Sequence, residues 1–422
     1  MIVEMVNTGS ELMLGRVLNS HQQWLCRRLS DLGYVVTRQI AVPDMAPEIE
    51  LAVRDSLSRA DLVLTTGGLG PTTDDLTREV IARLLSRALR EDAEILAQIQ
   101  AFFAGRNRPM PEQARVQALV PEGASVLPNP HGTAPGLVLH VNPNPFRNGG
   151  KESWLILLPG PGRELRPMFT DSVVPFLLRA LPLSDSFVCR TLRTTGIAES
   201  IVQERIEGSL RELVLSGLDV GYCARPGQVD VRLAARGDDA ESRVDAADAA
   251  VRAQLGSDIF GTGDENLEEV VVHLLAARKK TLALAESCTG GCIAHQLTNV
   301  SGASAVFRAG WVTYSNDAKQ KFLGVRAETL DRHGAVSEAV AREMADGARH
   351  LGEADYAIAV TGIAGPTGGT PAKPTGTVFI AVASPKGTQV REMHNTWDRL
   401  TFKEVTARQA LNQLRRLLHG PP

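Results

Sequence analysis

The chain contains 422 residues, of which 43% are hydrophobic and 22% are charged. These proportions are ordinary for globular proteins and exclude a largely disordered chain, while the length suggests two or three domains. The formal net charge of -3 and the 5% aromatic content argue against a basic or base-stacking surface and so disfavour nucleic acid as a partner.

The sequence also bears on compartment. No apolar run approaches the ~20 residues of a membrane span. The first residues, MIVEMVNTGSELMLG, lack the basic leader and long apolar core of a signal peptide. The five cysteines form no CxxC pair and indicate no disulfide framework. We therefore expect a cytoplasmic protein that makes no membrane contact.

Strand-like and helix-like segments alternate over the first 170 residues. The pattern predicts strands at 2–7, 34–42, 61–66 and 154–158, with helices at 17–32, 47–59 and about 75–89. Such alternation predicts βαβ units and a mostly parallel sheet, in which ligands bind at the carboxyl ends of the strands. An apolar segment at 171–182 is a candidate domain boundary.

Two further regions follow. Residues 186–255 read as a small α+β unit without a catalytic constellation. From Asn266 a second α/β pattern begins, with predicted helices at 267–279, 292–299, 317–323, 337–350 and 401–418 and predicted strands at 281–286 and 310–315 among others. We assign three domains, 1–170, 171–262 and 263–422.

The 38 glycines concentrate in short runs, most of which follow an apolar stretch. The runs are TTGGLG, PHGTAPG, LPGPG, SCTGG and VTGIAGPTGG. Any single run can be a turn or a helix cap, but glycine also permits close approach of the backbone to a ligand. Five runs at strand ends favour ligand-binding loops.

Ser287 lies between a predicted strand and the sequence TGG that precedes a helix. A hydroxyl there is exposed at the strand end, beside helix N–H groups that can hold an oxyanion or a phosphate. The alternative is that it caps the helix. Cys288 is a rival nucleophile, because thiols are intrinsically better attackers.

Lys319 lies in SNDAK, where Ser315 or Asn316 is the expected N-cap. A cation in the first turn opposes the helix dipole. The side chain is either solvated or a general base with a depressed pKa directed at Ser287. Lowering a lysine pKa from ~10.4 to ~7.5 requires roughly 4 kcal/mol. A helix terminus supplies about 0.3–1 kcal/mol, so burial or another cation is also needed.

Three other positions can complete this site. Tyr314, at the end of the predicted strand, can relay a proton, hold the lysine or pack in the core. Thr361 and Gly362 offer a hydroxyl and close backbone in a third strand-end loop. Arg399 can clamp a phosphate, although a lone arginine is usually a surface charge.

A second candidate site lies in GGLGPTTDD (67–75). Its glycines allow an anion to approach the backbone, and Asp74 and Asp75 can bind a hard divalent cation through oxygen. Helix capping is the alternative role for either aspartate. Ser10 and Glu11 follow the first strand, and NPHGTAPG (129–136) is another Gly/Thr loop.

The motifs AESCTGG, VTYSNDAK, AVSEAVAREMADGAR, VTGIAGPTGGTPAKPTGTV and WDR resemble the C-terminal domain of the CinA family, whose stand-alone relatives are nicotinamide mononucleotide deamidases. The resemblance implies an α/β deamidase domain without a cofactor, with Ser287 as nucleophile and Lys319 as general base. It implies support from Tyr314 and Thr361, and substrate contacts from Glu286, Thr289, Gly290, Gly291, Asn316, Gly362 and Arg399, the last on the phosphate.

The motifs TGSELMLG, VPD, GGLGPTTDDLTRE, NPHGTAPG and LPGPGRE resemble the N-terminal domain of the same family. The resemblance implies a three-layer, molybdopterin-binding-like fold and an ADP-ribose pyrophosphatase that needs Mg, Mn or Co. The implied metal-site acids are Asp44, Asp74 and Asp75. The implied nucleotide contacts are Ser10, Glu11, Gly67, Gly68, Gly70, Thr72, Gly132, Thr133 and Gly136.

The middle region resembles the family's KH-type α+β domain. It lacks the GxxG loop by which RNA-binding KH domains clamp a backbone, so we expect a structural domain that forms a homodimer. The expected function is a bifunctional hydrolase of pyridine-nucleotide salvage. The alternatives are a molybdopterin-binding or transfer module and an interaction protein of DNA uptake or repair with a degenerate N-terminal site.

Overall fold

The structure is a computed structural model that describes residues 1–419. Residues 420–422, the end of the third expected domain, lie outside the described residues. The chain divides into two compact units, the first being Met1–Val188 and the second beginning at Cys189. The first unit thus extends past the boundary expected at residue 170.

The strands of the first unit are β1 (Val3–Thr8), β2 (Val36–Val42), β3 (Leu62–Thr66), β4 (Leu89–Glu91), β5 (Leu119–Pro121), β6 (Ala124–Leu127), β7 (Gly136–Val141) and β8 (Ser153–Leu158). Six of them form one sheet in the order β2-β1-β3-β8-β7-β6. The first four in that order are parallel, and β7 and β6 add antiparallel. The carboxyl ends of β1, β3 and β8 therefore meet at one edge.

The helices of this unit are α1 (Ser10–Met13), α2 (Ser20–Asp31), α3 (Ala46–Leu57), α4 (Thr77–Leu84), α5 (Ala93–Ala104), α6 (Gly162–Met168) and α7 (Val174–Ala180). Alternate residues of β3 enter different cores: Val63 packs with α3 and α4, whereas Leu62 and Leu64 pack with α2, α6 and α7. A strand that is apolar on both faces demands helices on both sides. The result is the expected three-layer domain.

Several parts of this unit differ from the sequence prediction, and α4 and α5 are examples. The helix predicted at 75–89 is α4, which ends at Leu84, because Ser86 adopts a left-handed φ of 54° and the chain then enters β4. Helix α5 was not predicted.

The middle of the chain contains β9 (Phe187–Thr195), α8 (Glu199–Leu215), β10 (Asp219–Arg225), β11 (Gln228–Arg236), α9 (Ala240–Leu255) and β12 (Ile259–Thr262). The strands form a sheet in the order β10-β11-β9-β12, in which β10 pairs antiparallel with β11 and β9 with β12. This is the α+β unit expected from the sequence.

The remaining helices are α10 (Leu267–Ala277), α11 (Cys292–Thr298), α12 (Asn316–Leu323), α13 (Ala327–His333), α14 (Glu338–Leu351) and α15 (Arg399–His419). The strands are β13 (Leu282–Glu286), β14 (Phe307–Val312), β15 (Tyr356–Gly362), β16 (Thr377–Ser384) and β17 (Gly387–His394). The sheet order is β14-β13-β15-β16-β17, parallel across the first three strands and antiparallel beyond. Helices α10, α11 and α15 cover one face, and α14 covers the other.

The strand predicted at 310–315 is β14, which ends at Val312. Tyr314 therefore lies in the connection to α12, and the expectation that it ends a strand was wrong. No helix in residues 1–419 is both long and apolar enough to cross a membrane.

Candidate active sites

Ser287 and Lys319 meet at the carboxyl end of β13. The Ser287 N–H donates to Val360 O of the neighbouring β15 at 3.0 Å, which fixes the turn that carries the hydroxyl. The Lys319 Nζ lies 3.0 Å from the Ser287 Oγ. Lys319 is 1% exposed and Ser287 is 8% exposed, so an amine and a hydroxyl are paired where little water reaches them.

Helix α12 places the lysine as the sequence predicted. Ser315 is the N-cap, since its side chain accepts from Ala318 N at 3.1 Å. The Lys319 N–H makes a first-turn hydrogen bond to Ser315 O at 3.2 Å. The cation is therefore at the unfavourable end of the helix dipole.

Burial, and not the hydrogen-bond partners, favours the neutral form of the amine. The Nζ bonds to the carbonyl oxygens of Thr313 at 2.8 Å and Tyr314 at 3.5 Å as well as to Ser287. No carboxylate of the described residues is hydrogen-bonded to it. Burial lowers the pKa of Lys319, and burial is the contribution that the helix terminus alone could not supply. A neutral amine can give two N–H groups to the carbonyls and direct its lone pair at the Ser287 O–H.

Cys288, the rival nucleophile, is 6% exposed. Burial raises the pKa of its thiol to about 12. Because the thiolate rather than the thiol is the attacking species, the hydroxyl of Ser287 is the better-activated group in this turn.

Glu286 lies differently from the expectation that it contacts substrate. Its buried carboxylate accepts the N–H groups of Gly291 at 2.9 Å, Ile293 at 3.2 Å and Ala294 at 2.9 Å. The N-terminus of α11 is thereby filled by the protein's own anion. The expected use of that helix end for an oxyanion or a phosphate was wrong, and so was helix capping by Ser287, because Gly291 is the N-cap.

Two other N–H groups of the turn make no backbone–backbone hydrogen bond. Within residues 1–419, the backbone N–H groups of Cys288 and Thr289 donate to no backbone carbonyl and approach the Cys288 sulfur instead, and the Thr289 Oγ1 is buried without a partner. These donors directly follow the Ser287 hydroxyl in the chain. They are the candidates to stabilise negative charge at a carbonyl attacked there.

The side chains of Arg399, Tyr314 and Thr361 make their hydrogen bonds outside the Ser287/Lys319 pair. Arg399 donates to Tyr314 Oη at 2.7 Å and to Gly365 O at 2.8 Å, and Tyr314 is 61% exposed, which excludes core packing. The Thr361 hydroxyl donates to Ala335 O at 2.8 Å and makes no hydrogen bond to the pair.

Three predicted substrate contacts are backbone or surface positions. Asn316 is exposed in the first turn of α12. Gly290 lies near Lys403, whose Nζ would be 3.7 Å from a Cβ at that glycine, and Gly362 packs against β16. Lys403 was not singled out from the sequence, and its isolated charge on a long helix gave no signal.

A cavity of about 380 Å³ opens at the carboxyl edge of the first unit's sheet. Of the residues predicted there, the lining contains Glu11, Asp44, Gly67, Gly68, Gly70, Thr72, Asp74, Asp75 and Thr133. Ser10, Gly132 and Gly136 do not line it. Ser10 instead exchanges hydrogen bonds with Asp44, its N–H donating to Asp44 Oδ2 at 2.7 Å.

Five carboxylates line this cavity, and no Lys, Arg or His does. The fifth, Glu164, was not singled out although the motif LPGPGRE contains it. Asp75 accepts from Thr72 N at 2.9 Å, and the N-cap of α4 is Leu76, so neither aspartate caps the helix. The Oε1 of Gln117, another lining residue, is buried without a partner.

The oxygen donors fit a hard divalent cation that is completed by substrate or water. No three His, Cys, Asp or Glu side chains of residues 1–419 are close enough to hold a metal by themselves. Magnesium is commonly bound by one or two carboxylates together with substrate phosphates. An anionic phosphate would otherwise face only negative charge in this cavity.

Arg78 stabilises the glycine loop of GGLGPTTDD through hydrogen bonds to the backbone. This side chain is 1% exposed and donates to Leu69 O at 2.6 Å and Val116 O at 3.0 Å; burial lowers its pKa to about 10. Gly68 has a left-handed φ of 66°, and a Cβ there would overlap Thr77 Oγ1. The loop conformation thus depends on both residues.

These features define a three-domain α/β protein in which a glycine-loop domain with an acidic cavity precedes an α+β unit and a domain with a Ser/Lys pair, consistent with a hydrolase. Family models match each part: "Probable molybdopterin binding domain" over residues 4–179, "Damage-inducible protein CinA KH domain" over 189–261, and "CinA C-terminal domain" over 264–418.

Whole-chain relatives agree. A "Putative competence-damage inducible protein" of Symbiobacterium thermophilum is 45% identical, covering 100% of this chain and 99% of its own. A "CinA-like protein" of Akkermansia muciniphila is 44% identical over 97% and 95%. The crystal structure of the competence/damage inducible protein CihA from Agrobacterium tumefaciens is 42% identical, covering 36% of this chain and 94% of its own, with a TM-score of 0.36. The relatives from Symbiobacterium thermophilum and Akkermansia muciniphila match nearly the whole chain, and the chain therefore belongs to the CinA family.

Proposed function

We propose that the C-terminal domain hydrolyses the carboxamide of nicotinamide mononucleotide to nicotinic acid mononucleotide and ammonia. The observation that carries the proposal is the buried Lys319 Nζ 3.0 Å from the Ser287 Oγ. A hydroxyl becomes nucleophilic when a base removes its proton, and a lysine whose pKa is lowered by burial is such a base.

The chemistry follows from the geometry. Ser287 Oγ attacks the carboxamide carbon while its proton passes to Lys319 Nζ, and the oxyanion meets the N–H groups of Cys288 and Thr289. When the C–N bond breaks, Lys319 returns the proton to the departing ammonia and an acyl ester remains on Ser287. A water molecule then attacks the ester, giving its proton to Lys319, and the acid is released as Ser287 regains a proton.

Arg399 is the proposed phosphate ligand. It is exposed, and its guanidinium already makes two hydrogen bonds, to Tyr314 Oη and Gly365 O. An arginine held in this way presents its remaining donors in a fixed orientation, which suits recognition of a phosphate. Lys403, near Gly290, adds positive charge on the same helix.

The test is deamidation of nicotinamide mononucleotide by Ser287→Ala and Cys288→Ala, followed as ammonia and as nicotinic acid mononucleotide. We expect Ser287→Ala to lose at least about 10³-fold in kcat, since the covalent route is removed. Cys288→Ala should stay within a few-fold of the parent. Full activity in Ser287→Ala would show that Ser287 is not the nucleophile. Absence of ammonia release by the parent protein would show that nicotinamide mononucleotide is not the substrate.

We further propose that the N-terminal domain cleaves ADP-ribose to AMP and ribose 5-phosphate. Its support is the cavity with five carboxylates and no cationic side chain, which would suit a pyrophosphate only with a divalent cation present to offset the negative charge. One or two of the predicted acids Asp44, Asp74 and Asp75 would hold the cation together with the substrate, and the metal would supply charge neutralisation of the pyrophosphate oxygens.

Release of AMP should appear when Mg, Mn or Co is added to the metal-free protein and should be absent without metal. Asp75→Asn removes one charge but keeps the shape of the side chain, and we expect it to raise the metal concentration needed for half-maximal activity by about ten-fold or more. Absence of AMP with every one of the three metals would favour the alternative, a binding-only domain.

A further inference from the structure

Another cavity, of about 380 Å³, lies in the second compact unit, where the α+β unit meets the C-terminal domain. None of the chemistry proposed above uses it. Alternate residues of β17 and of the segment after it line one wall, namely Arg391, Met393, Asn395 and Trp397. One face of α15 lines a second wall with Val405, Gln409, Asn412, Gln413 and Arg416. The turns of the α+β unit at Gly196 and Gly227 complete the lining.

Hydrogen bonds from α15 hold the α+β unit in place beside this cavity. Arg408 Nη1 donates to Pro226 O at 2.7 Å, next to the lining residue Gly227. Arg416 Nη2 donates to Asp258 Oδ1 at 2.6 Å. The walls of the cavity are therefore fixed relative to each other by direct contacts.

Three side-chain donors of the lining lack an acceptor among residues 1–419. Gln413 is 8% exposed, and its Nε2 has no partner. The Nε of Arg416 is also buried without a partner, and Arg391 makes no hydrogen bond or ion pair with the described residues. A buried N–H without an acceptor costs free energy, and no acidic side chain lines the cavity. The missing component is therefore a group with anionic oxygens.

Trp397 adds an aromatic face at a distance from Arg391. Its side chain is 50% exposed, and no other ring of the described residues stacks on it. Arg391 and Trp397 are six residues apart on a largely extended segment, so their backbones lie at most about 20 Å apart. A ligand that contacts both residues must carry its anionic group and its planar group in separate parts.

The lining can bind a ligand but is not equipped to react with it. It contains no Ser, Thr, Cys, Lys, His, Asp or Glu, and hence neither a nucleophile nor a general base. The cavity is also separate from the Ser/Lys pair. Lys403, which lies near Gly290 of the catalytic turn, is on another face of α15 than Val405, because two residues of a helix are about 200° apart.

We propose that this cavity is an accessory binding site for a nucleoside monophosphate, with the phosphate on Arg391 and the base on Trp397. Arginine recognises phosphate through its fork of N–H donors, and an aromatic side chain holds a base by stacking. A cavity of this volume is of the size that takes small molecules. Because stacking tolerates any base, purine and pyrimidine nucleotides should bind alike. The proposal is independent of both activities proposed above.

Calorimetric titration of the full-length protein with AMP, ribose 5-phosphate and adenosine tests the site, since only AMP carries both phosphate and base. The titrations contain EDTA, because the acidic cavity of the first unit is expected to accept a phosphate only with metal. The parent protein should bind AMP at least about ten-fold more tightly than either fragment, and UMP within a few-fold of AMP.

Two variants separate the parts of the ligand. Arg391→Gln should weaken AMP binding about ten-fold or more and leave adenosine unchanged. Trp397→Leu should weaken AMP binding about ten-fold and leave ribose 5-phosphate unchanged, whereas Trp397→Phe, which keeps a ring, should restore most of the affinity. Arg332→Gln removes the same charge from an exposed side chain outside the lining and should behave as the parent.

Three results would overturn the proposal. The first is no AMP binding in EDTA, and the second is a parent protein that binds a fragment as tightly as AMP. The third is an AMP affinity in Arg391→Gln or Trp397→Leu equal to that of Arg332→Gln, which would place the bound nucleotide elsewhere.

Discussion

Lys319 is a lysine whose environment disfavours its charge. It is buried, it lies in the first turn of α12, and among residues 1–419 no carboxylate hydrogen-bonds its amine. Burial disfavours the ammonium form, so the pKa lies below the ordinary 10.5. The folded protein therefore holds a neutral amine at a pH where a solvated lysine is still protonated.

A pH dependence follows. Because the base must be neutral, kcat/KM for nicotinamide mononucleotide should rise with pH and level off once the lowered pKa is passed, below pH 10.5. Lys319→Arg, which stays charged at any accessible pH, should lose about 10²–10⁴-fold without a plateau. A profile that still climbs through pH 10.5 in the parent would contradict the role of burial.

The sequence could identify those site residues whose role is indicated by their immediate neighbours in the chain. Ser287 and Lys319 could be chosen because each stands at a helix or strand end where its chemistry is unusual. Glu164 and Lys403 could not, because they reach their places only through contacts with distant parts of the chain, such as the Asn129–Glu164 hydrogen bond across 35 residues. The Glu286 cap was missed because the resemblance suggested substrate instead.

Among the elements, α11 has the least usual N-terminus. Its N–H groups are satisfied by a carboxylate from the end of a strand, since Glu286 accepts from three of them. A buried helix end without such a partner would leave donors unsatisfied. The strand, the catalytic turn and the helix are therefore tied together by one side chain.

Glu286→Gln tests this tie. The amide has one oxygen fewer to accept N–H groups and no charge to meet the helix dipole, so we expect a loss of about 1–3 kcal/mol in the free energy of unfolding. Denaturant unfolding measures it. Glu328→Gln, which alters an exposed i,i+4 pair with Arg332, is the control and should change stability by less than about 1 kcal/mol. Equal effects would mean that the cap is not special.

Helices and strands could be predicted from the sequence where the apolar pattern extended over a long segment. Strands β1, β3, β8 and β13 and helix α14 have nearly the predicted bounds. Helix α5 carried usable signals, namely Asp92 as an N-cap and Ile95 and Ile99 four residues apart. The end of α4 did not, because serine seldom adopts the left-handed conformation that Ser86 has.

Across the whole molecule, the candidate sites lie in units with separate apolar cores. The length of the chain allowed two or three domains. The sequence favoured three, because the glycine runs form two groups and a stretch of α+β pattern lies between them. Partner chains and the oligomeric state could not be predicted in this way, because the surface residues that determine them follow no regular spacing in the sequence. The homodimer remains a prediction.

Separate cores predict separable activities. Ser287→Ala should abolish deamidation and leave AMP release from ADP-ribose within two-fold. Asp75→Asn should raise the metal concentration that AMP release requires and leave deamidation within two-fold. A metal chelator should stop AMP release alone, since the proposed Ser/Lys chemistry uses no cation. Parallel assays of ammonia and AMP in each variant test whether the two activities are separable. A chelator that also stops ammonia release would show that the deamidase site depends on metal.

The pairing of Ser287 with an amine has a consequence for inhibitors. No imidazole of residues 1–419 is hydrogen-bonded to the Ser287 hydroxyl, so reagents that inactivate serine hydrolases by modifying histidine should leave this site intact. A pyridine-bearing boronic acid, in contrast, can form a tetrahedral adduct with the serine oxygen and place its negative charge beside the lysine. Resistance to histidine-modifying reagents together with inhibition by such a boronic acid would distinguish this site from that of a serine hydrolase with a histidine base.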